Sequence, residues 1–326
     1  MTCDVVCLRP KEDFLKLGIT PPEKLSIRYM SPEDSDLSEH LAAARALVIP
    51  AVGPKLPAAL FDGTQIELVQ VTGAGIDRID AQALKSMGIA VANVPGASSA
   101  AIAEYVLSSA TTLLRRISWM DNELRDGNYA EARKKVLAEN LAGMEGLTVG
   151  VVGLGVIGST VARAFRGMGS KIVYHDPAPR DAELIAQLEA KALALAELLV
   201  TSDIVTLHVP LLPSTESMIG ARELGQMKDG AILINAARGG IVDEAALVRH
   251  LVSGHLAGAA VDVFSSEPPT QENPLLQAER EIGRRILLTP HIAGVTRQSW
   301  ANLFSSAWEN VEQLLLHDRP PANRVI

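Results

Sequence analysis

Short apolar runs alternate with helix-like segments along almost the whole chain. In the first hundred residues the apolar runs are "DVVCL", "ALVIP", "ELVQV" and "IAVANVP". A second series follows, with "LTVGVVG", "KIVYHD", "DIVTLHV", "AILINAA", "LAGAAVDVF" and "ILLTPH". Continuous apolar runs joined by helices are typical of parallel strands that are buried on both faces. The pattern predicts an α/β fold with parallel sheets, and the six strands of the second series would make a full dinucleotide-binding sheet.

Three other segments have helical character. Residues 98–116 predict one helix, and the stretch from Thr296 to Leu316 repeats apolar side chains at helical spacing. The polar stretch 121–140 between the two strand series has two interpretations, a disordered linker or a helical arm that packs on something. Its helix-forming composition favours the arm.

Length and composition narrow the class of protein. The 326 residues suit two domains, and 48% hydrophobic residues allow a large core. A net charge of −8 leaves no basic surface for nucleic acid or an anionic membrane. No segment resembles a signal peptide or a membrane span. Cys3 and Cys7 predict small buried side chains rather than a disulfide or metal site. We expect a soluble, cytoplasmic protein without a metal.

The stretch "VGVVGLGVIG" contains a G-x-G-x-x-G pattern at Gly153, Gly155 and Gly158. A predicted strand precedes it and a predicted helix follows, so the glycines would let a pyrophosphate approach the helix N-terminus. Asp176 follows eighteen residues after Gly158, where a carboxylate accepts hydrogen bonds from a ribose diol and repels a 2′-phosphate. A solvated turn aspartate would explain Asp176 alone, but not this spacing. We predict NAD rather than NADP, with Arg180 as the nearest cation.

Three charged or titratable residues follow predicted strands of the second series. Arg238 follows "AILINAA", Glu267 follows "AAVDVFSS" and His291 follows "ILLTP". Each has an ordinary explanation: an arginine in an ion pair, a turn acid before two prolines and a histidine cap. Together they would line the carboxyl edge of one sheet, where ligands bind in such folds. Arg238 then suits an anionic substrate, and His291 suits proton transfer.

These motifs resemble the D-isomer-specific 2-hydroxyacid dehydrogenases. The matching segments, in the family's order, are "VTGAGIDRID", "NVPGASSAAIAEYVL", "GLTVGVVGLGVIG", "HVPLLPST", "INAARGGIVDEAALV", "AGAAVDVFSSEP" and "LLTPHIAG". The resemblance implies two Rossmann-like domains, helices on both faces of each sheet, an active-site cleft between them and a homodimer. It places the substrate-binding domain at 1–98 plus 297–326 and the NAD-binding domain at 99–296.

The resemblance also implies roles for individual residues. Arg238 would grip the substrate carboxylate and polarise the keto oxygen, His291 would be the general acid, and Glu267 would be its partner. The backbone amides of Ala74 and Gly75 would hold the other side of the carboxylate. The cofactor-binding positions that it implies are Gly153, Gly155, Val156, Ile157, Gly158, Asp176, His208, Pro210, Thr215, Ala236, Ala237, Arg238, Asp262, His291 and Gly294. Among these, Asp262 matches the anchor of the nicotinamide carboxamide.

Departures from the family's patterns narrow the expected substrate. The segment "IPAVGPKL" carries only Lys55 as a charge, which predicts a non-phosphorylated substrate. Val156 replaces the usual arginine in the glycine turn, so backbone amides must hold the pyrophosphate. Glu267 stands where formate-specific relatives have glutamine. We expect an NAD-dependent reductase of small 2-keto acids. The alternatives are a nucleotide-sensing, corepressor-like interaction protein, which usually has a partner-binding cleft or disordered tail, and phosphite oxidation at a related site.

Overall fold

The structure, a computed structural model, describes residues 3–139, 141–278 and 282–326. Its contacts divide the chain into two compact units, residues 1–98 with 295–326 and residues 99–294. The predicted assignment of substrate binding to one part and NAD binding to the other stays a prediction. Each unit is built on a parallel sheet, as the apolar runs predict.

The first unit contains a five-stranded parallel sheet in the order β2-β1-β3-β4-β5. Its strands are β1 (Val5–Cys7), β2 (Ile27–Tyr29), β3 (Ala46–Pro50), β4 (Leu68–Thr72) and β5 (Ala90–Ala92). Four of them coincide with the apolar runs of the first series. The edge strand β2 was not predicted, because its three residues are only half-buried and Arg28 interrupts the apolar pattern.

Helices cover both faces of this sheet, because its side chains alternate between two apolar clusters. They are α1 (Lys11–Leu15), α2 (Leu37–Ala43), a 3-10 helix (Ala58–Phe61), α3 (Ala81–Ser86) and α13 (Arg297–His317). The N-terminus of α13 is capped by a reciprocal pair, Thr296 and Ser299. Its apolar face packs on the sheet beside Phe14, whose ring centroid lies 4.7 Å from that of Phe304. The predicted C-terminal helix is therefore present, one residue later at each end.

The second unit contains a seven-stranded parallel sheet in the order β12-β11-β10-β9-β6-β7-β8. Its strands are β6 (Thr148–Val152), β7 (Lys171–His175), β8 (Lys191–Ala192), β9 (Ile204–Leu207), β10 (Ile232–Asn235), β11 (Gly258–Val261) and β12 (Ile286–Leu288). The expectation of six strands is wrong by one. The extra strand, β8, has two exposed residues at the sheet edge and no apolar signal.

Two apolar clusters again flank this sheet, so helices lie on both of its faces. The helices are α4 (Ser99–Leu114), α5 (Ile117–Arg125), α6 (Tyr129–Glu139), α7 (Val156–Gly167), α8 (Ala182–Leu188), α9 (Leu195–Thr201), α10 (Ala221–Gln226), α11 (Glu244–Val252), α12 (Pro274–Gln277) and a 3-10 helix (Gly283–Arg285). The stretch 121–140 consists of the end of α5, a turn at residues 126–128 and α6, so the linker interpretation is wrong through residue 139; residue 140 lies outside the described residues. No described helix is long and apolar enough to cross a membrane.

The order of the strands reverses at β6. This strand pairs with β7 on one side and with β9 on the other, and the chain continues outward in both directions. A crevice for a ligand forms at the carboxyl ends of the strands at such a point. We therefore expect the predicted site in the loops that follow β6, β7, β9, β10 and β11.

Candidate active site

The glycine turn joins β6 to α7. Gly153 has a φ of 91°, in the left-handed region, and a Cβ there would lie 2.6 Å from the carbonyl oxygen of His208. A Cβ on Gly158 would lie 2.0 Å from the carbonyl oxygen of Gly153, so no side chain fits at either position. A Cβ on Gly155 would enter open space. The turn thus leaves a cradle beside its second glycine, which fits the pyrophosphate of a dinucleotide.

Helix α7 presents its N-terminal amides at this cradle. Gly155 is the N-cap, and no side chain among the described residues caps the helix. The side chain of Val156 is exposed, and Ile157 packs partly against the core. An anion at this end would therefore meet backbone amides and the positive end of the helix dipole, with no cation from the turn itself.

Asp176 lies at the end of β7, and its side chain is only 4% exposed. Its Oδ2 accepts a hydrogen bond from the Leu154 amide at 2.8 Å, and its Oδ1 accepts one from the Ala178 amide at 2.9 Å. Arg180 Nη2 lies 2.5 Å from Oδ2. Burial raises the pKa of Asp176, but the bonds from Arg180, Ala178 and Leu154 outweigh it and hold the pKa below its ordinary value. This ion pair has no signal in the sequence beyond the short spacing of Asp176 and Arg180.

Three predicted cofactor residues follow β9 in one turn. Desolvation lowers the pKa of His208 to about 3, so its ring is neutral at physiological pH. Nε2 of His208 lies 2.9 Å from the hydroxyl of Thr206. The hydroxyl of Thr215 donates to the carbonyl of Pro210 at 2.6 Å and accepts from the Leu212 amide at 2.8 Å. These bonds fix the turn directly beside Gly153, the first glycine of the G-x-G-x-x-G pattern.

Arg238 lies in a tight turn after β10. The side chain of Asn235, buried at the strand end, accepts from the Ala237 amide and donates to the Arg238 carbonyl, both at 3.1 Å. Nη1 of Arg238 donates to the Ala237 carbonyl at 2.6 Å. A Cβ on Gly239 would lie 1.7 Å from the carbonyl oxygen of Phe264. The turn that carries Arg238 is therefore packed against the backbone that follows β11.

Glu267 and His291 form a hydrogen-bonded pair. Nδ1 of His291 lies 2.8 Å from Oε2 of Glu267, and about a quarter of each side chain is exposed. Oε1 of Glu267 accepts from the Phe264 amide at 3.0 Å. Burial raises the pKa of Glu267, but these bonds and the charges of His291 and Arg238 outweigh it and hold the pKa below its ordinary value. The three predicted catalytic side chains therefore share one electrostatic environment.

The loop that carries His291 closes around the fully buried Asp262. Oδ1 of Asp262 accepts from the hydroxyl of Thr289 at 2.5 Å and from the Ile292 amide at 2.8 Å, and Oδ2 accepts from the Ala293 amide at 2.8 Å. His291 itself has a positive φ of 54° and donates its amide to the Asp262 carbonyl. These bonds use three of the about four acceptor positions of a carboxylate. Asp262 thus shapes this loop, and its contact with the carboxamide stays a prediction.

Glu244, the first residue of α11, is a residue that sequence reasoning missed. Its buried carboxylate accepts from the amide and hydroxyl of Ser265, at 2.7 and 3.0 Å, and from the side-chain amide of Asn273 at 2.7 Å. Because Ser265 precedes Glu267 by two residues, Glu244 anchors the segment that carries Glu267. In the sequence Glu244 and Asp243 give only the signal of a helix start, which Asp243 indeed caps.

Ala74 and Gly75 lie in the loop after β4 of the first unit. The side-chain amide of Asn93 donates to the Ala74 carbonyl at 2.6 Å. A Cβ on Gly73 would lie 2.5 Å from the Cβ of Ala51, so the loops after β3 and β4 approach closely. Both loops stand at the carboxyl edge of their sheet. The role of Ala74 and Gly75 toward the substrate stays a prediction.

A second cation, besides Lys55, lies at the loop after β3. The buried Arg78 donates from Nε to the Pro54 carbonyl and from Nη1 to the Pro50 carbonyl, both at 2.9 Å. Burial lowers the pKa of Arg78. A Cβ on Gly53 would lie 3.1 Å from Cζ of this guanidinium. Lys55 is thus the only charge within "IPAVGPKL", but the fold brings the buried Arg78 to the same loop.

The other predicted positions lie in the same loops of the second unit. Ala236 precedes Arg238 in its turn, and Gly294 ends the loop after His291. Within the described ranges, no group of three or more His, Cys, Asp and Glu side chains is placed to hold a metal ion. Cys3 and Cys7 are both buried and free.

Residues 107–293 match the sequence profile described as "D-isomer specific 2-hydroxyacid dehydrogenase, NAD binding domain". The chain belongs to the D-isomer-specific 2-hydroxyacid dehydrogenase family. The matched range covers more than half of the chain and includes the glycine turn, Asp176, Arg238, Glu267 and His291. The prediction of NAD as the cofactor is confirmed by this match, and the cradle beside the glycine turn fits it.

Individual relatives share the family but differ in their named substrates. The chain is 34% identical to a glycerate dehydrogenase of Methylorubrum extorquens over 283 residues, 86% of this chain and 85% of that protein. It is 37% identical to a D-3-phosphoglycerate dehydrogenase of Archaeoglobus fulgidus over 73% of this chain, and spans only 43% of that protein. A D-lactate dehydrogenase from Aquifex aeolicus, solved with NAD and lactic acid, has 27% identity, a TM-score of 0.85 and 98% coverage of both chains. The predicted fold class is confirmed.

Proposed function

We propose that this protein is an NAD-dependent oxidoreductase that transfers a hydride between NAD(H) and a small, non-phosphorylated 2-keto acid or D-2-hydroxy acid. The observation that carries the proposal is the pair of Glu267 and His291, whose carboxylate also feels the charge of Arg238. This pair stands at the carboxyl edge of the sheet that carries the glycine turn. Membership of the family supports the class of reaction.

The side chains of the site suit the proton and charge requirements of this reaction. Bound NADH supplies the hydride. With Nδ1 of His291 held by Glu267, Nε2 remains to give a proton to a keto oxygen and to take it back in the reverse direction. The guanidinium of Arg238 suits the substrate carboxylate and the negative charge that develops on the keto oxygen.

The charges near the loop after β3 support a substrate without a phosphate. Lys55 is exposed, whereas Arg78 is buried and gives two of its donors to the carbonyls of Pro50 and Pro54. A phosphate carries about −2 charges and is usually held by several accessible cations. Glyoxylate, hydroxypyruvate and pyruvate therefore suit this loop better than phosphohydroxypyruvate.

The direct test is a panel of 2-keto acids, followed by the loss of NADH absorbance. Hydroxypyruvate and phosphohydroxypyruvate form the matched pair, because they differ only in the phosphate. We expect the non-phosphorylated acid to have the higher kcat/KM. A preference for phosphohydroxypyruvate would overturn the substrate assignment while leaving the reaction class intact. Absence of turnover with every acid, in a protein that still binds NAD measurably, would favour the corepressor-like interaction protein. Turnover of phosphite would favour the alternative of phosphite oxidation. The relatives described above support neither alternative.

We also propose that the protein is a homodimer. Helices α5 and α6 leave large apolar side chains exposed, among them Leu124, Tyr129 and Leu137. Such a surface usually marks an interface. Light scattering of the parent and of the double variant Leu124→Glu, Leu137→Glu should show a dimer and a monomer, respectively. A cytoplasmic location and the lack of a nucleic-acid or membrane partner stay predictions, and the net charge of −8 supports only the second of them.

A further inference from the structure

The acid predicted to hold the adenosine ribose already has a cationic partner. Arg180 Nη2 lies 2.5 Å from Oδ2 of Asp176, and the side chains are 28% and 4% exposed, respectively. Asp176 is the first residue after β7, and Arg180 directly precedes Asp181, the N-cap of α8. This pair therefore lies at the end of β7, beside the glycine turn of the cofactor site.

The hydrogen bonds of Asp176 leave little capacity for a ribose. Besides Arg180, its carboxylate accepts from the amides of Leu154, within the glycine turn, and of Ala178. Three donors use three of the about four acceptor positions of a carboxylate. A diol that bonds both oxygens must therefore compete with Arg180 for Asp176. The amides of Leu154 and Ala178 belong to the folded backbone, so the flexible guanidinium is the donor that can give way.

Arg180 is itself incompletely bonded. Its Nε is buried and has no hydrogen-bond partner among the described residues. A guanidinium carries five N–H donors in a rigid fork, and a buried unpaired donor is costly. The fork matches the oxygens of a phosphate as well as those of a carboxylate. Arg180 can therefore bind a second anion in addition to the carboxylate of Asp176.

The balance of charge decides which cofactor this pair tolerates. A lone Asp176 would place one negative charge where NADP carries its 2′-phosphate, which holds about −2 charges and is repelled. Paired with Arg180, the acid presents no net charge. We propose that Arg180 is a selectivity-determining residue, which neutralises Asp176 and so narrows the preference of this site for NADH over NADPH. The inference rests on the dinucleotide site of the proposed function and concerns binding alone.

Equilibrium binding tests this role without reference to turnover. Dissociation constants for NADH and NADPH are measured by titration calorimetry on the full chain, for the parent and for Arg180→Gln. We expect the ratio of the NADPH to the NADH dissociation constant to rise by roughly tenfold, as the loss of one charge-assisted bond to a phosphate implies. Arg180→Lys, which keeps the charge but loses the fork, should give an intermediate ratio. Arg222→Gln is the matched control, because Arg222 also pairs with an acid, Glu223, but lies on the exposed surface of α10.

A second variant approaches the pair from the acid. Asp176→Asn leaves Arg180 without its carboxylate, and we expect it to bind NADPH at least as tightly as NADH. This arm keeps the inference testable should Arg180→Gln fail to fold, which thermal melts would show. A ratio unchanged within about twofold in either folded variant would overturn the role of Arg180. Failure of the parent to bind either dinucleotide would instead refute the proposed function, so the two failures are distinguishable.

Discussion

Oε2 of Glu267 lies 2.8 Å from Nδ1 of His291, and the two residues come from different loops of the second unit. The loop of Glu267 is held by Glu244 through Ser265, and the loop of His291 is held by Asp262. The buried carboxylates of Glu244 and Asp262 thus fix the two loops that bring Glu267 and His291 together. Because Nδ1 of the imidazole faces Glu267, Nε2 remains for a ligand.

His291→Asn should remove the proton donor while keeping a polar side chain of similar reach. We expect kcat for the reduction of a 2-keto acid to fall by roughly a hundredfold or more, as for the loss of a positioned general acid. NADH binding should persist, because the glycine turn and Asp176 are untouched. Stopped-flow turnover and a calorimetric titration measure the two quantities. A variant that reduces its substrate at the parent's rate would show that His291 is not the acid.

Glu267→Gln should change the dependence of stability on pH in the acid range. The folded-state pKa of Glu267 lies below its ordinary value of 4.5, so the unfolded chain binds more protons in that range. Its stabilising contribution is therefore present above pH 4.5 and is lost as the pH falls through the folded-state pKa. Melting temperatures of parent and variant should converge as the pH falls below 4.5. A gap that stays constant between pH 7 and that range would show that this carboxylate is not stabilised in the folded state.

The elements of the fold that the sequence predicts are those with a strong local signal. The apolar runs place β6, β7 and β9 to β12. The runs are least interrupted where the strand is buried on both faces, as in β9, β10 and β11. The edge strands β2 and β8 have no such run, since only their pairing with a neighbour defines them. Helices α5 and α6 mix apolar with charged side chains and bury none of their residues, so composition alone left a linker open.

The candidate site shows the same limit. Spacing from the glycines identifies Asp176, and the ends of strands identify Arg238 and His291. Spacing does not reveal which group a carboxylate contacts, because that depends on how loops fold back in three dimensions. The bond of Arg180 to Asp176 and the anchoring of Ser265 by Glu244 are therefore visible only in the structure.

Arg238→Lys and Arg238→Ala test whether the guanidinium geometry matters. A planar fork can bond a carboxylate and the adjacent keto oxygen together, which a point charge does not reproduce. We expect both variants to raise KM and lower kcat, with lysine restoring little, because the arginine contributes to substrate binding and to charge development. Steady-state kinetics with hydroxypyruvate and with an uncharged aldehyde measure the effect. Equal losses on the aldehyde would point to a structural role for Arg238 in its turn.

Gly155→Ala and Gly158→Ala form a matched pair that distinguishes a glycine needed for cofactor binding from a glycine needed for stability. A Cβ on Gly158 would lie 2.0 Å from the Gly153 carbonyl oxygen, within backbone that has no freedom to move aside. We expect that variant to lose about 2 kcal/mol or more of unfolding free energy. A Cβ on Gly155 meets nothing within 4 Å, so stability should change by less than about 1 kcal/mol.

The two alanine variants should also differ in their affinity for NADH. The methyl group at position 155 enters the cradle that the pyrophosphate needs, so the NADH dissociation constant of Gly155→Ala should rise by roughly tenfold while the protein melts like the parent. Thermal melts and calorimetric titrations of both variants are compared with the parent. Because a general loss of folding would lower stability and affinity together, weak binding by a fully stable Gly155→Ala protein would show that the cradle itself receives the cofactor. Parental affinity in that stable variant would mean that the dinucleotide binds away from the second glycine.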